Sequence, residues 1–126
     1  MKENNISEIG QVAITVENIQ KSLVFYRDIL GLKYLFSPSG HLAFLQCGVT
    51  RIMLSTPQGA GEIGKNSILY FKTTHIEDTF RDLVSQGADK EREPQMAAKM
   101  EDHELWIGFL RDPDSNLVGI MEEKSF

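Results

Sequence analysis

The residues best able to do chemistry in this chain are few and scattered. They are three histidines (His41, His75, His103), one cysteine (Cys47), and polar residues set in apolar stretches. Those polar residues are Gln11 in "IGQVAITV", Gln46 in "HLAFLQ", Arg51 in "RIMLS" and Ser67 in "SILYFKT". There is no HExxH, no Ser-His-Asp spacing and no glycine-rich phosphate loop. Cys47 precedes a loop glycine, and nothing marks it as a nucleophile. His75 falls at a helix start, while His41 and His103 begin strands. If they met in space, a 2-His-1-carboxylate metal site would be open to them. Without a metal, His103 is the candidate general base, with Gln11 and Arg51 steadying an oxyanion.

The elements that must position these groups belong to one domain of 126 residues. The chain is 41% apolar and 25% charged, as in ordinary globular proteins. A net charge of −5, with no basic cluster, argues against a nucleic-acid partner. One cysteine excludes an internal disulfide and a cysteine-based zinc site, and fits a cytoplasmic setting. "MKENNISEIG" has no apolar core of a signal peptide, and no stretch is long enough to span a membrane.

Period-two alternation makes "IGQVAITV" a strand. "ENIQKSLVFYRDILG" carries an apolar stripe at Ile19, Leu23, Tyr26 and Leu30, which predicts a helix capped by Asn18 and ended by Gly31. "LKYLF", "HLAFLQ" and "RIMLS" follow as strands, the last two joined through Gly48-Val49. The second half repeats this order. "SILYFKT" is a strand, and "THIEDTFRDLVSQG" a helix with Thr74 and Glu77 as a capping box and Gly87 as its stop. "DKERE" is a short charged edge strand, "PQMAAKMED" a loop, and "ELWIGFLR" and "NLVGIMEE" a hairpin around "DPDS". Residues 9–56 and 67–123 thus form two βαβββ modules, with 57–66 as a linker. The expected fold class is α+β: a curved mixed sheet around a cleft, with the helices outside.

The stretches "VENIQKSLVFYRDILGLK" and "FLRDPDSNLVGIME" resemble the vicinal oxygen chelate superfamily, which includes glyoxalase I, extradiol dioxygenases and bleomycin-binding proteins. The resemblance runs from about Ile9 to Glu123 and departs at Ser115, where the family has a turn glycine. It implies a metal held by one ligand on each of four strands. Those positions fall on Gln11, Met53, Ser67 and Gly119. Only Gln11 could ligate well, since Met53 is a soft thioether, Ser67 a weak neutral donor and Gly119 has no side chain. The resemblance therefore implies a family metal site that has been lost. No cofactor is expected, with a relocated Zn, Ni, Mn or Fe as the alternative.

Alternation places Phe44 opposite Met53 and Phe109 opposite Gly119. The expected cleft is an apolar, aromatic surface carrying Gln11, Phe44, Gln46, Arg51, Met53, Ser67, Phe71, His103, Phe109 and Gly119. Trp106 falls on the helix side unless a bulge intervenes. Such a lining suits a small apolar or aromatic molecule. The family's drug-binding members, commonly homodimers, imply a binding protein. A lyase, isomerase or dioxygenase acting through His103 or a relocated metal is the alternative, and a module whose cleft is filled by its own side chains is a third reading.

Overall fold

The computed structural model describes residues 5–57, 59 and 61–126. Its elements run β1 (Gln11–Thr15), α1 (Ile19–Leu23), β2 (Lys33–Ser39), β3 (Leu42–Cys47), β4 (Thr50–Ser55), β5 (Leu69–Lys72), α2 (Ile76–Ser85), β6 (Asp89–Lys99), β7 (His103–Arg111) and β8 (Leu117–Ser125). The expected curved sheet is resolved into two four-stranded sheets, ordered β1-β4-β3-β2 and β5-β8-β7-β6. In each, the first strand pairs in parallel with the last and the remaining pairs are antiparallel. The internal repeat is therefore a repeat of topology.

One face of each sheet is the core. Ile14, Ala43, Leu45, Ile52 and Leu54 from the first sheet, and Leu110, Val118 and Ile120 from the second, are buried with Leu23, Phe25, Tyr26, Ile76, Phe80 and Leu83 from the helical segments. Gly108 lies on this face because the Phe80 ring occupies the place of its side chain: a Cβ there would sit 2.8 Å from that ring. The other face of each sheet is open and carries the odd-numbered residues of β1, β4, β7 and β8.

Local departures from expectation have tertiary causes. Asn18 caps α1, accepting from the Lys21 N–H at 2.9 Å. The helix then widens into a π-helical stretch over 24–29, where the Leu30 N–H reaches back five residues to the Phe25 carbonyl. The capping box of α2 does not form. His75 is the cap residue and contributes no side-chain bond. Glu122 of β8 accepts from the Ile76 N–H at 2.8 Å instead, so a distant carboxylate does what Thr74 was expected to do. β6 does not stop at the charged run. It continues to Lys99 through residues expected to form a loop, with register shifts along its pairing to β7.

The two halves are tied by a buried polar knot. Asp112 accepts from Tyr26 Oη at 2.6 Å, from the N–H groups of Asp114 and Asn116, and from Asn116 Nδ2. Four donors satisfy a carboxylate that is only 3% exposed. Burial, then the charge of Asp112, pushes the Tyr26 hydroxyl far above its ordinary range. Asn66 adds a second tie by bonding both the Thr15 backbone and Asn116. Ser115 takes a left-handed φ of 66°.

Candidate functional site

The open face of the first sheet is organised in rows, because paired residues point the same way. One row crosses all four strands as Lys33, Gln46, Arg51 and Gln11. The next carries Phe36, Phe44, Met53 and Ala13. Phe36 stacks on Phe44 at 5.2 Å between ring centroids. Arg51 donates through Nε to Gln11 Oε1 at 2.6 Å and lies over the Phe44 ring, 5.2 Å from its centroid. Gln11 Nε2 in turn makes a long contact of 3.7 Å to Met53 Sδ. Gln46 turns its amide back to the Gly48 carbonyl at 2.7 Å. Gln11, Phe44, Gln46, Arg51 and Met53 thus come together as one surface.

The second sheet differs. Its open face pairs Phe109 with Gly119, and Gly119 with Tyr70. The Tyr70 ring lies over Gly119, where a Cβ would meet it at 2.4 Å, and contacts Phe109 edge-on at 5.9 Å. Arg92 covers the other part of Phe109 at 5.1 Å. Phe71, expected in this lining, is on the opposite face. It pairs with the buried Ile120 and packs against the core. Ser67 is exposed and lies before β5 begins. Register explains both corrections: Met53 pairs with Ala13, and its counterpart Gly119 pairs with Tyr70. The counterpart of Gln11 is then Ile68, one residue after Ser67. "SILYFKT" is apolar on both faces, so alternation alone does not fix which residues face out. One signal could have done so. Lys72 shares its face with Tyr70, and a lysine points to water.

With Ile68 in the place expected for Ser67, the four positions that the resemblance implies for a metal hold an amide, a thioether, an alkyl chain and a glycine against which the Tyr70 ring lies. Of these, only the Gln11 amide carries an oxygen donor suited to a divalent ion. Among the described residues, no three His, Cys, Asp or Glu side chains converge elsewhere to hold one.

His103 does share the open face of β7 with Phe109, but at the strand's far end. Its Nδ1 is 2.7 Å from Asp102 and its Nε2 is 3.1 Å from Glu123, which also pairs with Lys72. Nε2 is buried and lies off the line of a hydrogen bond to Glu123. The imidazole lowers the Asp102 carboxyl below its ordinary value, and Lys72 does the same to Glu123. A general base must offer a nitrogen to its substrate, and this ring turns both toward protein carboxylates. His41 bonds Thr56 and lies apart from this ring. Trp106 packs against the core, as alternation implied, and donates to Glu104 at 3.0 Å.

Neither open face is closed by its own side chains. Phe36 is 53% exposed, Tyr70 45% and Ile68 42%. Hollows on the other side include one of about 340 Å³ between α2 and β6, lined by Phe80, Val84, Lys90 and Pro94.

Residues 8–120 match the family model described as "Glyoxalase/Bleomycin resistance protein/Dioxygenase superfamily". An uncharacterized protein, YraH, of Bacillus subtilis (strain 168) is 28% identical over 87% of this chain and 94% of its own length. Among solved structures, an integron cassette protein from the mobile metagenome of V. cholerae superposes with a TM-score of 0.80 at 24% identity, covering 96% of this chain and 98% of that one. Lactoylglutathione lyase from Agrobacterium tumefaciens superposes with a TM-score of 0.78 at 21% identity, covering 92% and 93%. At these identities the structural likeness establishes the fold.

Proposed function

The chain belongs to the Glyoxalase/Bleomycin resistance protein/Dioxygenase superfamily, and from that premise we propose that it binds a small apolar or aromatic molecule on its open sheet face without a resident metal. One observation carries the reading: on the open face of the first sheet a row of Phe36, Phe44 and Met53 adjoins the bonded polar pair of Gln11 and Arg51. Binding surfaces of this make-up hold a ligand by burial and orient it by a few polar contacts. The donor chemistry at Met53, Ile68 and Gly119 supports the absence of the family's ion. We further propose a homodimer in the cytoplasm, without a nucleic-acid or membrane partner. The whole of β2 is exposed, including Tyr34, Leu35 and Phe36, and a second copy could cover that edge. No helix among the described residues is long and apolar enough to cross a membrane.

The test is a thermal-shift screen with a panel of small aromatic compounds, run with and without a chelator, together with elemental analysis. A bound ligand raises the melting temperature by mass action. The expected result is a rise that the chelator does not change. Stoichiometric divalent metal whose removal abolishes binding would overturn the reading, as would a panel with no effect at all.

A further inference from the structure

We infer that the ligand is an organic anion: an aromatic or apolar body carrying a carboxylate, which Arg51 takes as a fork. The inference deepens the binding reading and rests on it. Arg51 is held in place from two sides. Its Nε is used by Gln11 at 2.6 Å, and its guanidinium plane lies over Phe44. The bond to Gln11 uses Nε and leaves the two terminal amino groups for other partners. Among the described residues, no Asp or Glu forms an ion pair with Arg51. An exposed arginine fixed by a neutral amide and an aromatic face, with its terminal groups unpaired, is shaped for a planar two-oxygen anion.

The surroundings fit the same ligand. Lys33 stands in the same row, across Gln46, and likewise forms no ion pair among the described residues. Two strand spacings, roughly 10 Å, separate their backbones, a gap that two long side chains can close around one anion. The adjoining row of Phe36, Phe44 and Met53 gives the apolar body a floor next to that charge. On the second sheet the place that matches Arg51 is held by Leu117, and its neighbour Arg111 pairs with Glu91 at 2.9 Å and donates to the Ser115 carbonyl.

The experiment compares two probes of the same shape, 1-naphthoate and its neutral amide 1-naphthamide, titrated by calorimetry into the wild-type protein and into Arg51→Gln. Naphthoate is expected to bind the wild type about tenfold more tightly than the amide, the scale of one charge-assisted fork. Arg51→Gln should erase that preference, so that the variant binds the two probes with affinities within about twofold of each other. The preference should also shrink at high salt. Equal binding of the two probes to the wild type, or a preference that survives Arg51→Gln, overturns the anion inference and leaves aromatic binding standing. Binding of neither probe overturns both.

Discussion

The two sheets share a topology but solve one packing problem in opposite ways. On the first sheet a small residue, Ala13, pairs with a large one, Met53; on the second the large residue is Tyr70 and the small one Gly119. On the second face the Tyr70 ring lies across Gly119, whereas on the first the Gln11 amide reaches toward the Met53 sulfur. Nearby arginines are also held differently. Arg51 is supported by an amide and a ring, whereas Arg111 is paired with Glu91. The same topology thus presents two differently dressed open faces, and the proposed ligand site lies on the first.

The largest effect should come from the knot that holds the two modules in their relation. Asp112→Ala would strand Tyr26 and Asn116, two buried groups that depend on it, and should cost about 3–5 kcal/mol in chemical denaturation. A loss under about 1 kcal/mol would mean that the modules hold together without the knot. The size exchange comes next. Gly119→Met should cost about 1–3 kcal/mol, because its side chain enters the Tyr70 ring. In a Tyr70→Ala background the same substitution should cost much less, and that non-additivity is the signature of the swap. Additive losses would refute it.

A smaller effect separates the two helices. Asn18→Ala should cost about 1 kcal/mol, as for a conventional cap. Thr74→Ala should be nearly silent, while Glu122→Ala carries the corresponding loss for α2. The smallest concerns the Asp114 carboxyl, which burial raises above its ordinary value. The folded protein then binds that proton more tightly than the unfolded chain. Asp114 therefore adds stability as pH falls through its folded pKa, and takes it away as pH rises again. Comparing Asp114→Asn with the wild type across that window should show the slope reduced in the variant.

Much of this was legible in the letters. Period two and the capping signals located most strands and both helices, and the pairs Phe44–Met53 and Phe109–Gly119 followed from the hairpin loops. The two stretches that carried the family resemblance meet in the structure, at Tyr26, Asp112 and Asn116. They build a structural junction, which is why they mark the fold rather than a chemistry. What escaped the sequence depended on contacts across the sheet. The outward residues of β5 could be fixed only by its pairing with β8. The cap of α2 is supplied from 46 residues away. His103 has the parity of a cleft residue, yet its neighbours Asp102 and Glu123 take up its ring.

The most direct test of the division between the two faces is a heteronuclear NMR titration with 1-naphthoate. It would follow the Arg51 Nε–H, the Gln11 side-chain amide and the Met53 methyl on one sheet, and the Tyr70 and Phe109 ring signals on the other. Shifts that saturate together at Arg51, Gln11 and Met53, while Tyr70 and Phe109 stay near their free positions, are the predicted result. Shifts centred on Tyr70 and Phe109, with the Arg51 signal unmoved, would contradict the account.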